Sequence, residues 1–234
     1  MTLVFVAVAQ PPTRRRTGMN PSDKSIMPTA CQERFALRTH LSGLGRFDAA
    51  VAALCAALQA YDSYTAEHSC ETSELAEEVA ARLGVDRVTA ELVTLVAALH
   101  DVGKIGIPTE ILGKPDRLTE AEFDVMRQHP VIGERILGSV PELAAVAHAI
   151  RHEHERWDGD GYPDGLAGTE IPLASRIVFA CDAWHAMTSD RPYRHALSHE
   201  EALAELRRCA GSQFDPSVVE ALLAVLAERL ALAA

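Results

Sequence analysis

Residues 86–108, "DRVTAELVTLVAALHDVGKIGIP", decide how the chain is read. Apolar residues recur there at intervals of three and four, the period of a helix face, behind an Asp86 placed to cap the first turn. The run "LVTLVAAL" is apolar nearly all round, so this helix must be largely buried. His100 and Asp101 then fall at the end of an interior helix, where an unsatisfied polar pair costs several kcal/mol. A metal ion satisfies both groups; an interior hydrogen-bonded pair is the other solution. Gly103 and Gly106 break the helix and are read as letting the backbone approach a ligand closely, while Lys104, one turn beyond Asp101, is placed to neutralise a phosphate oxygen.

Working outward, the same helical period recurs. "FDAAVAALCAALQAY" and "SELAEEVAARLG" precede the central run, the second ending at Gly84. Thr119 with Glu122 and Ser198 with Glu201 form capping boxes before "EFDVMRQH" and "ALAELRRCA", and Asp215–Pro216 opens the last helix. No run alternates like a strand. The expectation is an all-α fold, a compact bundle of about seven or eight helices occupying residues 46–234. Residues 1–45 read as a flexible N-terminal tail or partial helix, with Met19 and Met27 as alternative starts.

Composition narrows the function. A formal charge of −11, with 22 basic residues scattered among 33 acids, argues against an extended nucleic-acid interface, which needs clustered Lys and Arg. A small anionic substrate stays open if metal ions supply the positive charge. "MTLVFVAVA" is too short to span a bilayer and is followed, not preceded, by "RRR", so no membrane or secretory signal is expected and the chain is read as cytoplasmic. Five widely spaced cysteines without a CxxC pair read as reduced thiols.

The densest chemistry lies in "RHEHERWDGDGYPDG", residues 151–165. A helix, "ELAAVAHAIRHEHE", is expected to deliver ligands from its last turn, and the glycine-rich loop that follows to fold over them. Asp158, Asp160 and Asp164 have the alternation of a calcium loop, but Pro163 and Thr169 stand where that motif needs glycine and glutamate. His129 precedes Pro130, which puts an imidazole at a helix junction, either as a cap or as a ligand.

These segments carry a resemblance. "YTAEHS" (64–69), "HDVGKIGIP" (100–108), "HP" (129–130), "HERWDGDGYPDG" (154–165) and "CDAWHAMTSDRPYR" (181–194) are similar, in order and spacing, to the motifs of the HD-GYP family, a branch of the HD superfamily of metal-dependent phosphohydrolases. The resemblance implies an HD-domain bundle with a GYP loop at Gly161, Tyr162 and Pro163. It implies metal ligation by His68, His100, Asp101, His129, His154 and Asp182, with Asp101 bridging two divalent ions, iron, manganese or similar. It further implies catalytic roles for Asp101 and Lys104 and phosphate contacts from Lys104, Arg191 and Arg194, with Tyr162 approaching the substrate. The implied substrate is cyclic di-GMP, a small cyclic dinucleotide, opened to linear pGpG and sometimes cut to GMP. A second copy or a signalling partner remains open.

Three positions depart from the family pattern. Glu153 stands where the first of two adjacent histidine ligands is usual; it is read as a ligand that adds negative charge and favours harder ions. His185 replaces an aspartate one turn after Asp182, on the side of the helix from which it can contact substrate or a bound group. Tyr64 stands where three-metal members carry an acidic ligand, which favours two metals here. A binding module without turnover, or a hydrolase of another nucleotide, are the alternatives.

Overall fold

The computed structural model describes residues 48–61, 65–114, 116–190 and 195–232. The expected tail, Tyr64, Arg191 and Arg194 lie outside them. Ten α-helices are present among the described residues: α1 (Asp48–Tyr61), α2 (Thr65–Arg82), α3 (Arg87–Leu99), α4 (Thr109–Leu112), α5 (Glu120–Met126), α6 (His129–Gly138), α7 (Ala144–Arg151), α8 (Leu173–Thr188), α9 (His199–Cys209) and α10 (Pro216–Leu232). None of the described residues forms a β-strand. The count exceeds the expected seven or eight partly because α4 is a single four-residue turn, too short to show a helical period.

The start signals are all used. Asp86 accepts the Thr89 amide at 2.7 Å, and both capping boxes close, Thr119 with Glu122 and Ser198 with Glu201. Asp215 accepts the Ser217 amide at 2.8 Å behind Pro216, and Gly84 ends α2 at φ 69°. Of the cysteines, Cys55, Cys181 and Cys209 are free, but Cys70 is disulfide-bonded, which corrects the expectation of reduced thiols throughout.

α8 is the axis of the core, buried from Ala174 to Met187 except at Arg176, and packed by α2, α3, α9 and α10. α3 is buried along Val93 and Leu95–Leu99, as its apolar run requires. Ser175 donates to the Ala149 carbonyl at 2.7 Å, tying the start of α8 to the end of α7. No helix among the described residues is long and apolar enough to cross a membrane.

One contact sets the geometry of the polar centre. After α3 the chain tightens into a 3-10 turn, Val102–Gly106, that packs on α6. A Cβ on Gly103 would lie 1.8 Å from the His129 carbonyl oxygen and 2.6 Å from the Gly133 nitrogen. The close approach is therefore of one helix to another, not of backbone to a ligand as expected from the sequence. Gly106 likewise meets Ile132 rather than an open site.

Gly103→Ala is expected to destabilise the fold by about 3 kcal/mol, since neither backbone can retreat without unpacking α6. Gly138→Ala, with nothing within 4 Å of its Cβ, is expected to be neutral or slightly stabilising. Thermal unfolding of the two variants checks the contrast.

Candidate metal centre

Six polar side chains are buried near one another: His100, Asp101, His129, Glu153, His154 and Asp182, each 5% exposed or less. They come from different elements. His100 is the residue that ends α3, and Asp101 follows at φ −88°, ψ 1°, where the chain passes into the 3-10 turn. Regular helix would splay two neighbours by about 100°. At this junction His100 Nε2 instead lies 3.5 Å from Asp101 Oδ2. The other oxygen, Oδ1, is 3.9 Å from Nε2 of His129, which opens α6 directly across the Gly103 contact. One carboxylate thus faces two imidazoles.

Both imidazoles are oriented from behind. Nδ1 of His100 donates to the Ala97 carbonyl and Nδ1 of His129 to the Met126 carbonyl, each at 2.8 Å. A neutral ring with its Nδ1 proton so engaged presents a bare lone pair at Nε2, the form that binds metal.

Glu153 and His154 correct a detail of the sequence reading. α7 ends at Arg151, so these two residues emerge from the turn after the helix rather than from its last turn. His154 Nε2 lies 3.1 Å from His129 Nε2 and 2.7 Å from Glu153 Oε2. His129, Glu153 and His154 each offer one ligand atom, all within 4.8 Å of one another. Glu153 Oε1 is buried without a hydrogen-bond donor among the described residues, and Oε2 is buried against His154 Nε2. Nitrogen lone pairs and an unsolvated carboxylate converging on one point are what a divalent cation compensates, so the donor set fits a metal.

The electrostatics agree. Burial drives the His129 pKa down to about 3, with His154 adding to the shift against the pull of Asp101. Burial likewise lowers His154 to about 4, although Asp182 and Asp101 oppose it. Glu153 is shifted upward, by burial first and also by Asp182 and Asp101, despite His100. Asp101 moves the other way: burial alone would raise it, but Lys104, His100 and His129 outweigh burial and hold it below the ordinary carboxylate range. Lys104 is the strongest of these, its ammonium 2.7 Å from Asp101 Oδ2.

His68 lies on α2, its side chain outside the described residues. Asp182 and His185 are buried on α8, and His185 Nδ1 is 3.5 Å from Glu71 of α2. The Tyr162 ring stacks on His154, centroids 5.1 Å apart at 21°, and its hydroxyl is buried. Asp158 and Asp164 of the calcium-like pattern are engaged by separate arginines, Arg156 and Arg151. Sequence reasoning missed Arg151 and Glu155. Glu155 is buried, and its Oε1 accepts the amides of Asp164 and Gly165. Partners nine to thirteen residues away across a loop leave no periodic signal.

With this geometry in view, a family model described as "HD domain" matches residues 52–218. A cyclic di-GMP phosphodiesterase of Vibrio cholerae is 40% identical over 202 residues, covering 80% of this chain and 41% of that protein. A cyclic di-GMP phosphodiesterase of Thermotoga maritima is 43% identical over 164 residues, covering 69% and 45%. The chain thus spans less than half the length of these relatives. Among solved structures, an HDG"Y"P protein from Bdellovibrio bacteriovorus superposes with a TM-score of 0.61 at 18% identity, over 95% of this chain and 76% of that one, and shares its fold.

The lowered histidine pKa values carry a sign. Unfolded, these rings titrate near 6.5, so between that pH and about 4 the unfolded chain binds more protons than the folded one. Stability of chelator-treated protein is therefore expected to fall as pH drops through this window, by up to about 1.4 kcal/mol per pH unit for each ring. His129→Gln is expected to flatten the loss, as measured by denaturant unfolding at successive pH values.

Proposed function

The chain belongs to the HD domain family, and from that premise we propose that it is a metal-dependent phosphodiesterase that opens cyclic di-GMP to linear pGpG and can cut it on to GMP. The observation that carries this reading is the Asp101 carboxylate, buried with one oxygen toward His100 and the other toward His129. A single acid so placed can serve two cations. We assign His68, His100, Asp101, His129, Glu153, His154 and Asp182 as the ligands of two divalent ions, with iron or manganese suited to this mixed imidazole and carboxylate set. When bound, such ions supply an acidified water and Lewis acidity toward a phosphoryl oxygen.

The chain's own groups prepare that chemistry. The carbonyls of Ala97 and Met126 fix the ring orientations of His100 and His129, so no reorganisation is needed as a cation is held. Lys104 keeps Asp101 ionised and brings a positive charge to the mouth of the site, where it stabilises a phosphate oxygen. Arg191 and Arg194 are assigned to the same task. Tyr162, with His154 behind its ring, walls the side of the site formed by the GYP loop and excludes water there. The relatives' names support cyclic di-GMP as substrate, and the HD-GYP motifs support it independently.

A second reading is favoured by one observation. Glu153 adds a buried carboxylate to a site that already holds Asp101 and Asp182, which opposes an anionic phosphodiester. On that reading the chain binds the dinucleotide and releases it uncut.

Asp101→Ala is expected to lose metal and hydrolysis together while the helical circular dichroism stays unchanged. Metal analysis of the purified protein, followed by incubation with cyclic di-GMP and chromatography, is the test. Linear product from wild type and none from the variant supports catalysis; intact ligand recovered from metal-loaded wild type selects the binding module; product from the variant overturns the assignment of Asp101.

A further inference from the structure

We infer that Arg151 and Asp164 form a clasp that positions the GYP loop on His154, and that this clasp helps the metal centre hold its ion. The inference rests on the metal-binding part of the reading above, and not on its substrate.

The clasp begins outside the site. Arg151, the last residue of α7, donates from Nε and Nη2 to the two carboxylate oxygens of Asp164, both at 2.7 Å. Its third nitrogen, Nη1, donates to Glu134 Oε2 at 2.6 Å. Glu134 belongs to α6, the helix that His129 opens. A guanidinium bonded in this forked way fixes both distance and plane, which a lysine cannot do. His152 Nε2 approaches the same aspartate at 2.9 Å, so Asp164 is held from two directions.

From Asp164 the constraint runs inward. The Asp164 and Gly165 amides donate to Glu155 Oε1 at 2.7 and 3.0 Å, closing the loop onto its own first residues. Gly161 lies so close to that start that a Cβ would meet the Arg156 nitrogen at 2.3 Å and the Glu155 Cα at 2.5 Å. Tyr162 donates its amide to the His154 carbonyl at 3.3 Å, and its ring lies flat on the imidazole. The ring's far surroundings are Phe123 and the small apolar cluster of Ile107, Leu112 and Met126. His154 is therefore pressed between Tyr162 and the ligand group of His129 and Glu153, and its freedom to turn depends on where the loop is held.

Arg151 and Asp164 touch neither substrate nor ion; they are positioning residues. The salt bridge is a quarter to a third exposed on each side, so its direct share of fold stability is small. Partners that orient a ligand from behind typically change metal affinity 10–100-fold when lost. A role confined to holding the fold would move the melting temperature and leave metal affinity unchanged.

The experiment is a double-mutant cycle on the full chain: wild type, Arg151→Met, Asp164→Leu and the double variant, each titrated with manganese by calorimetry and each assayed with cyclic di-GMP. The expected result is a loss of about tenfold in manganese affinity for each single variant. The double variant should be no weaker than the worse single one, since the two residues act as a unit. Arg151→Lys should fall between wild type and Arg151→Met. Melting temperatures should stay within a few degrees of wild type. Single variants that bind manganese as wild type does, or penalties that simply add, overturn the clasp. Wild type that binds manganese but leaves cyclic di-GMP intact refutes the proposed substrate, while the clasp is still decided by the affinities. Wild type that takes up no manganese overturns the clasp as stated.

Discussion

The polar centre depends on a missing side chain. Because Gly103 has no Cβ, the 3-10 turn after α3 can lie directly on the first turn of α6, and Asp101 and His129 come within reach of each other. The end of a helix is a sound place for such groups, because backbone carbonyls that lack an intrahelical partner are free to orient them. The Ala97 and Met126 carbonyls do so for His100 and His129.

Burial and neighbouring charge push the groups of the site in different directions. Burial disfavours any charge in the interior, so it lowers His129 and His154 and raises Glu153. Asp101 is kept ionised, chiefly by Lys104 at its side. On His129 and His154 lone pairs are thus available without a competing proton, whereas Glu153, pushed toward its protonated form, gives up a proton as a cation is held. The same burial that costs stability at low pH is what prepares the ligands.

Much of this was legible in the residues. The helical period of "LVTLVAAL" required a buried α3 and so an interior His100–Asp101 pair, and the caps at Asp86, Thr119, Ser198 and Asp215 marked helix starts that the fold uses. Three things were not legible. The end of α7 at Arg151 was hidden because "RHEHE" continues a plausible helical pattern, whereas the backbone leaves helical geometry at His152, at φ −103°, ψ 14°. The purpose of Gly103 was misread because a glycine signals close approach without naming what approaches. The Arg151–Asp164 bond was invisible because a contact thirteen residues apart across an irregular loop has no period to detect.

Glu153 bears on how such a site balances affinity against turnover. Histidine at that position would bring a neutral ligand; glutamate brings a third buried carboxylate beside Asp101 and Asp182, with Lys104 offsetting one of them. On the proposed reading, two divalent ions would leave the centre positive but by one charge less than the histidine form. A cation is then held more firmly and a phosphodiester attracted less, which shifts the burden of substrate capture onto side chains at the rim. That places a premium on a well-seated GYP loop, because Tyr162 contributes apolar surface whose attraction does not depend on the charge of the centre. A loop fastened at Asp164 from two directions and closed through Glu155 meets that requirement without adding another charge beside His129, Glu153 and His154.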